Sequence, residues 1–279
     1  MMRDTWWFID SGYQTPAYNM AMDETLLHWH SDGRIPPVLR FYGWAPAGVS
    51  IGFFQGVNGV INVDNAARAG IPLVRRLTGG QAVLHEHELT YSIFVSEDDP
   101  KMPKTVKEAY LELSKGLKEG YQRLGISAEF ALPADGEKGG SANCFEKPSW
   151  YELTIDGKKA AGSAQTRKGG VILQHGSVPL KINEEKLFDL FVYPNEEVKA
   201  RAKQAFKNRA IAINDYLAEE VGIEEVKQAF YKGFETGLGV HLLPAQLPEA
   251  LLADVSELVK KYESEEWNYL REREGERVR

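Results

Sequence analysis

The stretch Ser141–Ser177, SANCFEKPSWYELTIDGKKAAGSAQTRKGGVILQHGS, holds the only cysteine of the chain, Cys144, with Lys159 fifteen positions after it. Beyond the cysteine, Tyr151, Leu153 and Ile155 alternate with Glu152, Thr154 and Asp156, and Asp156-Gly157 is a two-residue turn signal. That pattern predicts a β-hairpin. A tight hairpin returns its second arm near the loop that precedes its first, so Lys159 is expected beside Cys144.

A thiol has use for such a neighbour. The thiolate is the nucleophile, and an unperturbed cysteine, with a pKa of about 8.5, is mostly protonated at neutral pH. A nearby ammonium favours the charged form. The plainer alternatives stay open at this point: a lone cysteine also serves as a small buried hydrophobe, and Lys159 as a solvated hairpin residue. The setting of Cys144, with Gly139, Gly140 and Asn143 before it and Pro148 after it, is that of a displayed loop.

Outward from this stretch, 279 residues suffice for one large domain or one domain with a small extension. Apolar residues make 43% and charged residues 26%, an ordinary globular balance. A net charge of -7 argues against a nucleic-acid-binding surface. The nearest approach to a basic run, Lys199, Arg201, Lys203, Lys207 and Arg209, is expected along an exposed helix face. One cysteine excludes an internal disulfide framework and a multi-thiolate metal site. No apolar run is long enough to span a membrane, and no secretory h-region follows MMRDTWWFID, so a cytoplasmic protein is expected.

In chain order, Trp6–Ile9 opens a strand, and residues 17–30 (AYNMAMDETLLHWH) read as a helix stopped by Gly33, Pro36 and Pro37. Val38–Tyr42 and Val49–Phe53 are β-rich, 61–69 is a short helix, and a strand follows at 71–74. The segment RRLTGGQAVLHEHELTYSIFV (75–95) reads as strand, glycine loop, strand. Gly79-Gly80 lets backbone approach a ligand closely, although such a pair is also an ordinary hairpin corner. Arg75 and Arg76 before it, and His85, Glu86 and His87 after it, set charged and hydrogen-bonding groups at its rim.

Residues 105–124 predict a helix with capping-box spacing at Thr105 and Glu108. A strand is expected near 127–131, then a polar loop delivering Cys144, then after the hairpin two strands at 171–173 and 177–180 with His175 between them beside a pocket. From Glu184 the text turns helical (184–191, 196–206, 223–237 and 248–262), and the charge-dense tail 271–279 is expected to fray. Strands first and helices later favour an α+β fold, a mixed β-sheet flanked by helices. The division expected is a catalytic domain over 1–240 and a C-terminal helical extension over 241–279, packed on that domain or trailing from it.

RRLTGGQAVLHE resembles the RRxxGGGxVxH-acidic motif of the biotin and lipoate protein ligase superfamily, and DGKKAAGSAQ resembles its lysine motif KxxGSA. With the words PSWYEL and LQHGS, the resemblance runs from Trp6 to Gly239 and is closest to the LipM-type octanoyltransferases of lipoate assembly. It implies the biotin/lipoate ligase catalytic-domain fold, of the class II aminoacyl-tRNA synthetase/biotin synthetase-like kind. It implies Cys144 as acyl-thioester nucleophile and Lys159 as the residue lowering its pKa. It places Arg75, Gly79, Gly80 and His85 at the substrate, the last three walling an acyl tunnel, and gives Gly162, Ser163 and Ala164 as donors to the thioester carbonyl.

Octanoyl-acyl carrier protein would be the donor, and the glycine cleavage H protein or another lipoyl domain the acceptor. The thioester carries its own activation, so no cofactor, ATP or metal is implied. Gln81 stands where the ligases show a third glycine and Glu86 where they show aspartate, which moves the reading away from an adenylate-forming ligase. An ATP-dependent lipoate ligase, a lipoyl-domain amidotransferase and a non-catalytic acyl-binding module are the alternatives.

Overall fold

The computed structural model describes residues 4–131 and 152–270. Its first half runs β1 (Thr5–Gln14), α1 (Pro16–Ser31), β2 (Val38–Trp44), β3 (Gly48–Ile51), α2 (Val63–Arg68), β4 (Leu73–Arg75), β5 (Val83–His85), β6 (Glu88–Ser96) and α3 (Val106–Arg123). Next come β7 (Glu129–Ala131), β8 (Glu152–Ile155), β9 (Lys158–Lys159), β10 (Gly162–Lys168) and β11 (Val171–Pro179). The remainder is α4 (Glu184–Asp189), α5 (Glu196–Lys207), α6 (Ile213–Tyr216), α7 (Ile223–Leu238), β12 (His241–Pro244), α8 (Glu249–Glu263) and α9 (Glu265–Asn268).

Six strands form the main sheet in the order β10-β11-β6-β2-β1-β12. β1 runs parallel to β2 and β12, and the other pairs are antiparallel, so the sheet is mixed. The alternation of β6 sorts its two faces. Leu89, Tyr91, Ile93 and Val95 join Leu113, Leu117 and Tyr121 of α3 and Phe230 and Phe234 of α7 in one core. Thr90 and Ser92 point the opposite way, toward α1 and a small second sheet, β4-β3-β5.

α3 begins as its capping box demands, with Thr105 Oγ1 accepting from Glu108 N–H. It packs on α7 at a distance only glycine permits: a Cβ on Gly233 would lie 2.4 Å from Gly120 N, and one on Gly116 2.0 Å from the Phe234 ring. α1 starts at the cap Thr15 with Pro16 in its first turn, and is buried almost all round. The sheet covers one side of it. The other side is covered by α8, whose Leu251, Val255 and Tyr262 share its core.

Several expectations change here. The segment from 241 opens with a strand: β12 pairs with β1, His241 opposite Thr5, so residues 241–270 are built into the main sheet and the α1 core. The strand with a break at His175 is one continuous β11. Residues 162–168, which carry no strand signal in their side chains, form β10 along it through a turn at Gly169-Gly170, both at positive φ. The glycine loop at 79–80 is no hairpin corner, since β4 and β5 lie on opposite edges of β3. Cys144, the loop around it and the tail 271–279 lie outside the described residues.

Candidate functional site

A cavity, about 480 Å³ of empty space counting its opening to solvent, lies between the α1-side face of the main sheet, the small sheet and α1. β2 contributes Tyr42 and Trp44, β6 Thr90, and β11 His175 and Ser177; the small sheet contributes Ser50, Val83 and His85. Arg76, Gly80 and Gly162–Ala164 complete the wall, and Met20 of α1 closes it. Two chain segments some eighty residues apart thus meet here because β10 lies beside β11, and β11 beside β6.

Behind the wall run two buried carboxylate, imidazole and hydroxyl chains of the same design. In the first, Asp23 Oδ2 meets His175 Nδ1 at 3.1 Å, and His175 Nε2 meets Thr78 Oγ1 at 2.6 Å. In the second, Glu88 Oε1 meets His85 Nδ1 at 2.7 Å, and His85 Nε2 meets Ser50 Oγ at 2.7 Å. Arg76 joins them, donating from Nε to Thr78 Oγ1 and from Nη1 to Ser50 Oγ, both at 3.1 Å. Its Nη2 donates to the carbonyls of Gly79 and Gln81 at 2.7 and 2.9 Å, which fixes the glycine loop at the edge of the cavity.

Burial disfavours the charge on Asp23, but the hydrogen bond from His175 and the charge of Arg40 outweigh it, and its carboxyl sits below the usual range. Arg40 Nη1 reaches Asp23 Oδ1 at 2.7 Å, and Ser92 and Tyr42 donate to the same carboxylate. Burial likewise opposes ionisation of Glu88, and His85, Ser177 and Thr90 reverse the balance and lower its pKa. Burial holds His175 below its ordinary value. A neutral His175 has one N–H, which the Asp23 carboxylate claims at Nδ1, so Nε2 accepts from the Thr78 hydroxyl. The site therefore keeps the carboxylates of Asp23 and Glu88 behind the wall and turns hydrogen-bonded groups, Arg76 among them, toward the cavity.

Of the residues singled out from the sequence, Gly80, His85, Gly162, Ser163 and Ala164 line this cavity together, and His175 joins them. Lys159 stands at its edge: a Cβ on Gly162 would lie 3.6 Å from Lys159 Cε. It is not a solvated hairpin residue. It is only 7% exposed and pairs with Glu152 Oε1 at 2.7 Å. The predicted hairpin turn is there, with Asp156 and Gly157 at φ 49° and 74°, both in the left-handed region. Gly79 supports the wall through its carbonyl.

Arg75 lies behind the wall, its guanidinium donating to the carbonyls of Gly52, Phe53, Gln55, Trp267 and Asn268. It thus ties the small sheet to α9. Glu86 pairs with Lys186, and Gln81 accepts from Gln55 Nε2, so neither marked departure from the family motif faces the cavity.

Sequence reasoning missed Asp23, Arg40, Thr78, Ser50 and Glu88, whereas Arg76, expected at the rim of the glycine loop, does line the cavity. One signal was available: Arg40 interrupts the apolar strand VLRFYGW, every residue of which is buried, and a buried arginine requires a partner. Its partner, Asp23, stands four residues after Asn19 on α1, and both accept from that guanidinium.

Residues 15–235 match the family described as Lipoyl protein ligase A/B catalytic domain. Octanoyltransferase LipM of Geobacillus kaustophilus (strain HTA426) is 55% identical over 97% of this chain and 100% of its own length. Octanoyltransferase LipM of Bacillus subtilis (strain 168) is 52% identical over the same shares. Among solved structures, a bi-partite lipoate protein ligase from Thermoplasma acidophilum superposes with a TM-score of 0.81 at 24% identity, covering 96% of this chain and 97% of that one. A lipoate-protein ligase A bound with ATP gives 0.77 at 24% identity, covering 97% and 100%. These two likenesses establish the fold: a mixed sheet flanked by helices, as in lipoate protein ligases.

Proposed function

The chain belongs to the lipoyl protein ligase A/B catalytic-domain family, and from that premise we propose that it is an acyltransferase of lipoate biosynthesis. It moves octanoyl from octanoyl-acyl carrier protein, through a thioester on Cys144, to a lysine of a lipoyl domain such as the glycine cleavage H protein. The observation that carries the reading is the convergence of both family motifs on one cavity, with Lys159 at its edge. The relatives named as octanoyltransferases over their full length support the reaction class. No helix among the described residues is long and apolar enough to cross a membrane, in keeping with a reaction in the cytoplasm.

In the first step the Cys144 thiolate attacks the donor thioester carbonyl; a carbon–sulfur bond forms, and the carrier thiolate leaves and takes up a proton. In the second, the acceptor ε-amine attacks the enzyme thioester, loses a proton and expels the Cys144 thiolate as the amide forms. The Lys159 ammonium favours that thiolate in both steps. Each tetrahedral intermediate needs a donor at its oxyanion, worth roughly 3 kcal/mol when well placed. β10 is an edge strand among the described residues, so every second N–H along it points away from β11, and Gly162–Ala164 opens that strand at the cavity. The Ser163 hydroxyl, 2.8 Å from Tyr91 OH, is a further candidate donor. The thioester supplies the driving force, so ATP and magnesium have no part.

Incubation with octanoyl-acyl carrier protein in the absence of ATP should leave one octanoyl group on Cys144 by mass spectrometry, and Cys144→Ala should abolish transfer while folding normally. Turnover by the alanine variant, or an absolute ATP requirement with pyrophosphate release, would overturn the mechanism. Lys159→Met should move the pH profile of iodoacetamide alkylation at Cys144 upward, each unit being about 1.4 kcal/mol of lost preference for the thiolate. An unchanged profile would remove Lys159 from that role.

A further inference from the structure

The cavity has a mouth and a floor. Gly80 is exposed and Gly162, Ser163 and Ala164 are half-buried, whereas Met20, Tyr42 and Trp44 are 3%, 1% and 4% exposed. A chain entering past the glycines therefore ends against two aromatic rings and a thioether. The polar atoms around that floor are already engaged. Tyr42 OH donates to Asp23, Trp44 Nε1 donates to Thr90 Oγ1 at 2.8 Å, Thr90 donates to Glu88, and both nitrogens of His85 and of His175 have partners. A hydrocarbon tail loses nothing there, while a polar tail would shed its water without finding a partner.

The three floor residues differ in freedom. Tyr42 is held by its hydroxyl, and Trp44 by its indole N–H and by stacking on His85 at 4.0 Å and 7°. Met20 has no polar tether, and its long unbranched side chain is the adjustable part of the floor. Its backbone is fixed all the same: the neighbouring Asn19 donates to Gly43 O at 2.9 Å, and its Oδ1 accepts from Arg40 Nη2 at 2.7 Å. The depth of the floor is thus set by the length of one side chain standing on a rigid helix.

We propose that Met20 is the gauge of acyl chain length, ending the hydrocarbon track at its inner end. This rests on the acyl-transfer reading and extends it to the residue that selects the chain. One methylene in a hydrophobic pocket discriminates about 10- to 200-fold, so a change of floor depth should be plain in the product ratios.

The test compares hexanoyl-, octanoyl- and decanoyl-acyl carrier protein as donors to a lipoyl domain, with the full chain and its variants. The unsubstituted protein should prefer octanoyl. Met20→Ala should raise the decanoyl-to-octanoyl ratio by about tenfold or more, Met20→Phe should raise the hexanoyl-to-octanoyl ratio similarly, and Met20→Leu should keep the octanoyl preference. Unchanged ratios in Met20→Ala and Met20→Phe, or an equal loss at all three lengths, would overturn the proposal while leaving the transferase reading intact. If Met20→Ala fails to fold by circular dichroism, Met20→Phe against Met20→Leu decides. No transfer by the unsubstituted protein at any length overturns the transferase reading, and this inference with it.

Discussion

On one face of the main sheet, β6 presents Leu89, Tyr91, Ile93 and Val95 to α3 and α7; on the other, the same strand presents Thr90 and Ser92 to the buried carboxylates of Glu88 and Asp23. The first face is held by burial of apolar area, which is non-directional and tolerates changes that conserve volume. The second is held by hydrogen bonds and ion pairs out of water, where a missing partner leaves a desolvated group uncompensated. The apolar face supplies stability by degrees. The polar face supplies a fixed wall for the cavity on condition that the network is complete.

The comparison is broken most severely at Asp23. Asp23→Ala leaves Arg40, fully buried in the native chain, without its carboxylate, and should cost about 3–5 kcal/mol in guanidinium unfolding. Arg40→Met added to it should recover part of that loss; a single-variant cost below about 1 kcal/mol would show that the network is not the constraint described. On the apolar face, Gly233→Ala drives a Cβ toward α3 backbone and should cost about 1–3 kcal/mol by overpacking. Its octanoyl preference should survive below the unfolding transition, and a changed chain-length ratio would mean that the two faces are coupled.

A smaller loss is expected from Gly157→Ala in the hairpin that carries Lys159. At φ 74° an added Cβ is strained, and the cost should exceed about 0.4–1 kcal/mol, read from the denaturation midpoint. The mildest test is pH. His175 is held below its ordinary 6.5, so the unfolded chain binds a proton there that the folded chain refuses. That contribution to stability is present above pH 6.5 and falls as pH drops below it. Asp23 and Glu88, depressed below 3.8 and 4.5, contribute stability present above those values and lost as pH falls through their folded values. His175→Gln should flatten the upper part of this decline, while Gly233→Ala should leave its shape unchanged; a flat profile in the native protein would contradict the neutral, buried imidazole.

The sequence was most legible where structure is local. The Asp156-Gly157 turn, the Thr105 cap and the alternation of β6 each appear where a short window specifies them. It was least legible where a side chain's partner is remote. Asp23 and His175 are 152 positions apart, and nothing near either names the other. β10 reads GSAQTRK, without the β-branched and aromatic residues of an ordinary strand, and is a strand because β11 templates it. β12 was hidden for the same reason, between two helical stretches and completed only by β1.

By itself, then, the sequence determined the periodic elements, their turns and caps, and the two motifs that identify the family, because these depend on neighbours within a few residues. Only the tertiary structure decided that Gly80 and His85 share a wall with Gly162–Ala164, that Arg75 braces α9 while Arg76 serves the wall, and that Lys159 is buried against Glu152. Those outcomes follow from strand order and from the requirement that buried charges find partners, and both are settled only when distant segments of the chain come together.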